Sequence, residues 1–448
     1  MKTTVCAPVT GSAAGAVALV RLSGPDALGI LSGLVRTQHP FEPRRQTLCT
    51  LYDKEAVLDQ ALVTFFQAPH SFTGEDVVEF ALHGSPYIQG RLLELLCQAG
   101  AVPAKRGEFS YRAFLNGKMD LVQAQGLCDL IAAGNKAAHR LALASLDGQL
   151  SQRIGAIKTG LAELLAQIEV RLDDVDEEMA PLPDALVRDR LDQAAAHIRA
   201  LADTFSVGRL IKDGLRVAII GVPNNGKSSL LNALVGFDRA IVSPRGGTTR
   251  DTIEETLEAG GQKLILTDTA GIREHALDPA EQEGMHRSRR AMQNADVILF
   301  LLDASREITP QEKALWQEVS RENKRIFILS NKTDKASVLH PLAEGMESYT
   351  HLSVSCKTGE GLDKLKQALC SLAQAAPADG VMISNLRHYE ALLRAQTELE
   401  SAVLHLGDGG EILAEHIRGA LNYLRELIGE VTPDDILGII FSKFCMGK

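Results

Sequence analysis

The period of the hydrophobic positions changes from one part of this chain to the next. Up to about residue 118, short β-rich runs surround one run with helical spacing, and these runs are Ala16–Leu22, Ala61–Phe66, Val77–Leu82 and Ile88–Ala99. Strand-sized apolar runs beside a longer run with helical spacing are typical of mixed α/β structure. The sequence therefore predicts an α/β domain over residues 1–118.

Helical spacing dominates the two stretches of chain that flank residues 213–379. Apolar residues recur three or four positions apart over Leu146–Leu172 and again over Ile412–Ile428. We expect residues 119–212 and 380–448 to form one discontinuous helical domain, a helical bundle into which residues 213–379 are inserted. Two unrelated helical segments are the alternative.

Two local signals predict where helices break and begin. Pro181 and Pro183, near the acidic run Asp173–Glu178, predict a break between two helices. The sequence Thr432-Pro-Asp-Asp435 predicts a helix start, with threonine as the cap, proline at the first position and two acids on the helix dipole.

A glycine-bearing loop follows the first buried strand of residues 213–379. It reads Gly221-Val-Pro-Asn-Asn-Gly-Lys-Ser228, and it leads from the apolar run Val217–Ile220 into a helix. In such loops backbone N–H groups surround phosphates, the lysine reaches the outer phosphates and the hydroxyl binds Mg²⁺. We therefore expect Lys227 to be catalytic and Ser228 to bind Mg²⁺. The loop residues expected to contact the nucleotide are Asn224, Asn225, Gly226, Lys227, Ser228 and Ser229.

Three further polar loops follow β-rich runs and predict which base is bound. In an open α/β sheet, ligands collect at the carboxyl ends of the strands, so these loops should line one edge. Asp334 can accept hydrogen bonds from the N1–H and the 2-amino group of guanine, whereas adenine offers no such pair of donors. The sequence therefore predicts a Ras-like P-loop domain that binds GTP. The expected contacts are Asp268, Thr269, Ala270, Gly271, Asn331, Lys332, Thr333, Asp334, Ser355, Cys356 and Lys357.

The loop before Asp268 and the residue after Gly271 shape the expected hydrolysis. Thr249 is the natural second protein ligand of Mg²⁺, on a loop that orders around the γ-phosphate. Ile272 stands where many small GTPases carry a water-orienting glutamine. With the side-chain carbonyl of Asn224, this favours hydrolysis assisted by a monovalent cation bound between Asn224 and Ser243–Gly247. An ordinary turn residue is the alternative for Asn224.

Composition bounds the class of protein. The 448 residues allow roughly two to four domains with cores of their own. Seven scattered cysteines without a Cys-x-x-Cys pair suit a reducing cytoplasm. The longest apolar runs, such as Val297–Leu302, are strand-sized, so no membrane span is expected. A net charge of −10 argues against general nucleic-acid affinity but allows one RNA to bind through a local basic patch.

Together these motifs resemble the MnmE (TrmE) family of tRNA modification GTPases from end to end. The family's GTP loop reads Pro-Asn-x-Gly-Lys-Ser and its chains end in Cys-x-Gly-Lys, as this chain does in Phe444-Cys-Met-Gly-Lys448. Further stretches that carry the resemblance are Thr4–Pro8, Val20–Gly24, Ser71–Glu79, His83-Gly84 and Arg106–Lys118.

The resemblance implies a cytoplasmic homodimer, joined through its N-terminal domains, that binds 5-formyl- or 5,10-methylene-tetrahydrofolate. It also implies an FAD-containing partner, MnmG (GidA), in a heterotetramer that acts on the tRNA anticodon region. The product carries an aminomethyl or carboxymethylaminomethyl group on C5 of the wobble uridine. Positions that match the family's folate contacts are Arg21, Glu79, Lys118 and Lys448, and Cys445 is the expected thiol near the one-carbon unit.

The resemblance further implies a potassium-bound GTPase mechanism with dimerising GTPase domains, in which a glutamate fixes the attacking water. The pattern Glu-x-x-Gly assigns that role to Glu281, with Glu283 as the alternative. The expected K⁺ ligands are Asn224, Ser243, Arg245 and Thr248. The residues of the same loop expected near the nucleotide are Ser243, Pro244, Arg245, Gly246, Gly247, Thr248 and Thr249.

The potassium loop departs from the family pattern. The usual Thr-Asp-x-x-Gly is replaced by Ser243-Pro-Arg-Gly-Gly247, which puts the cation of Arg245 beside a cation site. We therefore expect potassium stimulation that is weaker than is usual in the family. Two alternatives remain: a ribosome-assembly GTPase acting as an rRNA-binding switch, and a signalling switch. The first usually carries a KH-like RNA module after the GTP domain, with a Gly-x-x-Gly loop in a basic setting, and we find no such loop in a basic setting there.

Overall fold

The computed structural model describes residues 3–36, 40–173, 180, 182–237, 254–268, 289–336, 341–372, 380–444 and 447. Contacts divide the chain into two compact units. The first comprises Met1–Ile131, Ser145–Ala195 and Arg394–Lys448, and the second comprises Ala132–Ala144 and Ala196–Leu393. The domain boundaries expected from the sequence stay a prediction.

The described helices and strands follow the spacing of the hydrophobic positions in the sequence. The helices are α1 (Ala27–Leu34), α2 (Pro86–Gln98), α3 (Glu108–Leu115), α4 (Leu121–Ala132), α5 (Lys136–Leu146), α6 (Gln149–Leu172), α7 (Asp184–Ala202), α8 (Phe205–Asp213), α9 (Lys227–Phe237), α10 (Pro310–Val319), α11 (Leu362–Ser371), α12 (Leu386–Leu404), α13 (Gly410–Ile428) and α14 (Asp434–Ser442). The strands are β1 (Val5–Pro8), β2 (Val17–Ser23), β3 (Val35–Arg36), β4 (Gln46–Asp53), β5 (Ala56–Phe66), β6 (Val77–His83), β7 (Val102–Pro103), β8 (Leu215–Ile220), β9 (Glu254–Ala259), β10 (Gln262–Asp268), β11 (Val297–Asp303), β12 (Arg325–Asn331) and β13 (Thr350–Ser353). A short 3₁₀ turn covers Thr333–Lys335.

The first unit begins with a seven-stranded sheet in the order β3-β4-β5-β6-β2-β1-β7. Its pairings are antiparallel except that of β1 with β7. Because side chains alternate along a strand, one face buries residues such as Val20 and Phe80 beneath α1 and α2. The opposite face carries Arg21 and Glu79, the residues of interest for function.

The helical part of the first unit packs α6 against α13 through the apolar stripes that the sequence predicts. Leu146 lies outside the long helix, because Gly148 in a left-handed conformation (φ 80°) separates α5 from α6. The predicted break near Pro183 is present, since α7 begins at Asp184.

The predicted start of the last helix is wrong by about one residue. Pro433, rather than Thr432, is the N-cap of α14, and Asp434 is its first residue. The Thr432 hydroxyl donates to the carbonyl oxygen of Glu426 at the end of α13 and lies one residue before the N-cap position.

The second unit contains a six-stranded sheet in the order β13-β12-β11-β8-β10-β9. All pairings are parallel except β9 with β10. Both faces of β8 are buried, since Val217 and Ile219 pack in one core and Ala218 and Ile220 in another. The carboxyl ends of β8, β11 and β12 therefore share one edge, which brings the predicted nucleotide loops together.

Within the described part of the chain, no helix is both long and apolar enough to span a membrane.

Candidate functional site

The predicted phosphate loop connects β8 to α9 through two residues with positive φ, Asn224 (66°) and Gly226 (95°). A Cβ on Gly226 would lie 2.4 Å from Asn331 Nδ2, so this position requires glycine. Lys227 begins α9, and its Nζ donates to the carbonyl oxygens of Gly221 and Val222 at 2.8 and 3.1 Å. The lysine ammonium is thus held over the loop that the sequence assigns to the phosphates.

The side chain of Asn225 is committed to the protein interior and is 1% exposed. Its Nδ2 donates to the Leu301 carbonyl oxygen at 2.8 Å and to Glu312 Oε1 at 2.7 Å. Its Oδ1 accepts a hydrogen bond from Arg306 Nη2 at 3.0 Å. Both side-chain donor hydrogens are used, so any contact of Asn225 with a nucleotide has to come from its backbone.

The predicted base loops are bonded to the phosphate loop and to each other. Buried Asn331 donates from Nδ2 to the Asn225 carbonyl oxygen at 2.9 Å and accepts at Oδ1 from the Cys356 N–H at 3.3 Å. Ser355 Oγ donates to Asp334 Oδ1 at 2.7 Å, which fixes the carboxylate expected to recognise guanine. Burial raises the pKa of the Cys356 thiol to about 11, so this thiol is neutral at physiological pH.

Lys332 connects the same loops through its ammonium group. Its Nζ donates to the Asn224 carbonyl oxygen at 2.7 Å and to Asp303 Oδ2 at 2.6 Å. Burial opposes ionisation of Asp303, but hydrogen bonds from Lys332 and Ser305 outweigh it and lower the pKa of this carboxyl. Asp303 is therefore an anion that orients Lys332.

Part of the predicted GTPase site lies outside the described residues. This applies to Ser243, Pro244, Arg245, Gly246, Gly247, Thr248, Thr249, Thr269, Ala270, Gly271, Glu281 and the alternative Glu283. The backbone of Asp268 ends β10, whereas its side chain is outside the description. The assignments to Mg²⁺, K⁺ and the attacking water stay predictions at these positions.

The N-terminal candidate site is a charge pair on the open face of the first sheet. Arg21 on β2 and Glu79 on β6 are register partners. Arg21 Nε and Nη2 donate to Glu79 Oε1 at 2.9 and 2.7 Å. The guanidinium carbon lies 5.1 and 5.4 Å from the ring centres of Phe72 and Phe109, which places the cation against two aromatic side chains.

The predicted Lys118 lies beside the loop that follows β5. This lysine is exposed, and a Cβ on Gly74 would lie 3.3 Å from its Cδ. Asn116 Nδ2 donates to the Thr73 carbonyl oxygen at 2.7 Å, so the turn that carries Lys118 is fastened to that loop.

Arg112 supports this region from below, and the sequence analysis gave it no role. Its side chain is fully buried, with Nη1 2.9 Å from Glu75 Oε2 and Nη2 2.9 Å from Glu108 Oε1. It also donates to the Thr3 carbonyl oxygen at 2.8 Å. A signal was present in the sequence, because a glutamate and an arginine four residues apart lie on one face of a helix.

The C-terminal tail passes over β1 of the first sheet. A Cβ on Gly447 (φ 86°) would lie 2.1 Å from the Pro8 carbonyl oxygen, and Phe444 packs against Phe441 with ring centres 5.0 Å apart. Ala7, beside Pro8, is the register partner of Arg21. Gly447 therefore lies close to the strand pair that carries Arg21, while Cys445 and Lys448 lie outside the described residues.

Arg306 and Glu312 were also missed by the sequence analysis, although they contact the phosphate loop through Asn225. The available signal was the capping-box pattern from Thr309 to Glu312, which predicts the start of a helix. That pattern does not reveal that the glutamate faces the phosphate loop, because the contact joins residues 87 positions apart.

A parallel sheet with a glycine loop after one strand and an Asn-Lys-Thr-Asp loop after another defines a P-loop GTPase. Family models match residues 4–118 as the N-terminus of GTP-binding protein TrmE and residues 121–445 as the MnmE helical domain. The chain belongs to the MnmE family of tRNA modification GTPases.

Relatives in that family span the whole chain. The tRNA modification GTPase MnmE of Aquifex aeolicus is 39% identical, with all of both chains covered. That of Akkermansia muciniphila is 41% identical over 99% of each chain, and that of Psychrobacter sp. (strain PRwf-1) is 39% identical over 100% of this chain and 99% of its own.

Among solved structures, similarity extends over part of the chain. An Aquifex aeolicus Era variant bound to GDP and AlF₄⁻ is 28% identical over 41% of this chain and 65% of its own, with a TM-score of 0.29. The G domain of the T. maritima FeoB iron transporter is 24% identical over 36% of this chain and 99% of its own, with a TM-score of 0.27.

Proposed function

We propose that this chain is a potassium-stimulated GTP hydrolase that serves the modification of wobble uridine in tRNA. The observation that carries the GTPase part is the bonding of the base loop to the phosphate loop. Asn331 and Lys332 donate to the carbonyl oxygens of Asn225 and Asn224, and Ser355 holds Asp334. These contacts support a single site whose Asp334 selects guanine and whose loop Gly221–Ser228 binds the phosphates.

The metal ions fit the residues at this edge of the sheet. The Ser228 hydroxyl, in the first turn of α9, is the proposed Mg²⁺ ligand, with Thr249 as the second and Asp268 acting through water. Asn224 is exposed at the left-handed turn of the loop, which supports its side-chain oxygen as a K⁺ ligand. A K⁺ ion held there would supply positive charge near the phosphates, and Glu281 would orient the attacking water.

The N-terminal pair fits a folate carrier. Pterin offers N–H donors that a carboxylate such as Glu79 accepts, and its glutamyl and formyl oxygens accept from cations such as Arg21, Lys118 and Lys448. The path of the tail over Pro8 supports Lys448 and Cys445 as groups close to the same site. Tetrahydrofolate supplies a one-carbon unit when bound, and the residues of this chain bind and orient it.

The open sheet face also supports the proposed homodimer. Val17, Leu48 and Leu62 are large apolar side chains that are 61%, 66% and 42% exposed, and Leu48 and Leu62 are register partners. Exposed apolar side chains on one sheet face are typical of an association surface. We propose that a second copy covers it, and that the FAD-containing MnmG completes a heterotetramer in the cytoplasm that acts on the anticodon region.

Hydrolysis by purified full-length protein tests the GTPase proposal. We expect Lys227→Ala to lower kcat/KM for GTP about 10²–10³-fold, as when a donor to transition-state charge is removed. The matched control is Lys313→Ala, an exposed lysine on α10, which should leave hydrolysis unchanged. Retained hydrolysis in Lys227→Ala would contradict the assignment of this loop.

The same assay tests the potassium proposal. Replacing Na⁺ with K⁺ should raise the rate, and Arg245→Ala should raise the K⁺ stimulation further, because it removes a cation beside the proposed K⁺ site. Equal rates in Na⁺ and K⁺ would contradict K⁺ stimulation, and equal K⁺ titrations of wild type and Arg245→Ala would remove the role given to Arg245.

A further inference from the structure

The phosphate loop is held from behind by a buried polar cluster on the segment that joins β11 to α10. We infer that Asn225, Glu312 and Arg306 form a positioning cluster that sets the phosphate loop in its nucleotide-binding conformation before nucleotide arrives. This inference rests on the proposed GTP site and adds side chains that hold the loop while facing away from the ligand.

The first support is the completeness of the hydrogen bonding around Asn225. Asn225 and Glu312 are each 1% exposed, and they are joined by the 2.7 Å bond from Nδ2 to Oε1. A buried amide without partners is costly, so this side chain has one favourable position, with its second N–H on the Leu301 carbonyl oxygen. Fixing the side chain fixes the backbone of the loop in its middle.

The second support is the way in which Glu312 is itself fixed. Arg306 donates from Nη1 to Oε2 at 2.9 Å and from Nη2 to Oε1 at 3.1 Å, a two-pronged contact. The Thr309 N–H and hydroxyl both donate to Oε2 at 2.8 Å, which closes a capping box at the start of α10. The loop is therefore anchored to the start of α10, where both carboxylate oxygens of Glu312 accept hydrogen bonds.

Charge is part of this arrangement. Burial opposes ionisation of Glu312, but hydrogen bonds from Arg306, Thr309 and Asn225 outweigh it and lower the pKa of the carboxyl. Glu312 is therefore an anion at neutral pH, and a second carboxylate at position 225 would face it directly. Removing the Asn225 side chain should therefore weaken the cluster less than introducing a like charge beside Glu312.

The cluster should act on binding more than on chemistry. It lies behind the part of the loop that faces phosphates common to GTP and GDP, and it contains no group assigned to the attacking water. Preorganisation of a binding loop lowers the cost of ordering it in the complex. Loss of the cluster should raise the Kd of both nucleotides while kcat at saturating GTP changes little.

Nucleotide titrations on the full-length protein test this inference. The probes are fluorescent GTP and GDP analogues, and hydrolysis gives KM and kcat. Asn225→Ala should raise both Kd values and KM about tenfold. The value of kcat should stay within twofold of the wild type. Arg306→Ala should also raise Kd. In the double variant of Asn225→Ala and Arg306→Ala, the fold-increase in Kd should not exceed the product of the two single fold-increases, because both side chains act through Glu312.

Rescue separates positioning from a general loss of stability. Asn225→Asp should raise Kd more than Asn225→Ala, and adding Glu312→Gln to Asn225→Asp should restore most of the loss, because it removes the like charge. Arg289→Ala, which breaks an exposed contact with Glu318 at 3.4 Å in the same unit, is the matched control and should change nothing. Thermal unfolding of each variant identifies any that fail to fold. If the Asn225 variants fail to fold, Arg306→Ala still tests the cluster, because it alters a partly exposed side chain.

The outcomes also distinguish a failure of the proposed GTP site from a failure of the positioning cluster. If Lys227→Ala binds nucleotide like the wild type, the proposed GTP site itself is wrong. If Lys227→Ala loses affinity while folded Asn225→Ala and Arg306→Ala keep Kd within twofold of wild type, the positioning cluster is wrong and the site stands. An Asn225→Asp defect that Glu312→Gln does not relieve would likewise overturn the cluster.

Discussion

The nucleotide site of the second unit and the charged site of the first unit are built in opposite ways. Asn225, Asn331 and Glu312 are each 1% exposed, and their polar atoms are bonded to other parts of the protein. Arg21 and Glu79 lie on the sheet face opposite α1 and α2, with side chains that are 13% and 23% exposed, and they bond to each other beside Phe72 and Phe109. One site is supported from behind, whereas the other presents its charges.

This difference determines what each ligand has to do. A nucleotide enters a loop whose backbone is already fixed, so affinity depends on residues that never touch it. In the proposed function, a folate has to share or replace the bonds between Arg21 and Glu79, so its affinity depends on the contacting charges themselves. Near the Arg21–Glu79 pair of the first unit, the buried ion pairs are those of Arg112 with Glu75 and Glu108.

The largest expected effect is the loss of those buried ion pairs. Arg112→Met leaves Glu75 and Glu108 without their buried cation and should destabilise the first unit by about 3–5 kcal/mol. Urea unfolding followed by circular dichroism reports both units together, while Trp316, the single tryptophan, reports the second unit alone, so a transition seen only by circular dichroism belongs to the first unit. The Trp316 transition should not move. A Trp316 shift as large as the circular dichroism shift would break the comparison.

A smaller effect is expected at the presented pair itself. Glu79→Gln keeps the shape but removes the charge, and it should weaken binding of 5-formyl-tetrahydrofolate about tenfold, or about 1.4 kcal/mol, without changing GTP affinity. Asp53→Asn is the matched control, since Asp53 pairs with Arg91 at 2.6 Å in the same sheet domain and is 24% exposed. Calorimetric titration measures both. Equal folate affinity in the wild type and Glu79→Gln would contradict the folate assignment.

The smallest expected effect concerns acid and the second unit. Burial, with the nearby charges of Arg387 and Lys212, lowers the pKa of His388 well below its ordinary value of 6.5. The unfolded chain takes up a proton below pH 6.5 that the folded state refuses, so stability is full above 6.5 and falls as the pH drops, by up to about 1.4 kcal/mol per pH unit.

Urea unfolding followed by Trp316 at pH 7.5, 6.5 and 5.5 measures this slope. His388→Gln should flatten it, whereas His197→Gln, at an exposed position on α7 in the same unit, should not. A slope that survives in His388→Gln would show that other groups cause the acid sensitivity.

Much of the scaffold was predictable because it depends on local patterns. Strand-sized apolar runs before the nucleotide motifs became β8, β10, β12 and β13, and the stripe over Ile412–Ile428 became α13. The prediction at Thr432 was wrong by one residue, since the last helix begins at Asp434 with Pro433 as its N-cap. Local signals predict that an element exists better than they predict where it starts.

The supports of the two sites were not predictable in the same way. The motif identifies Asn225 as a loop residue, but the direction of its side chain depends on Glu312, which is 87 positions away. Arg112 belongs to a segment quoted only for its family resemblance, and its burial depends on Glu75 in another loop. Residues that contact ligands recur in short motifs, whereas the residues that hold them are fixed by the tertiary fold.

Nucleoside analysis of tRNA is the direct test of whether this chain serves wobble-uridine modification. In the source organism, the gene would be deleted and then restored as wild type, Lys227→Ala or Glu79→Gln. We expect the aminomethyl or carboxymethylaminomethyl group on C5 of the wobble uridine to disappear on deletion, to return with the wild type and to be lowered with either variant. Wobble uridines that are identical in the deletion strain and its parent would contradict the account.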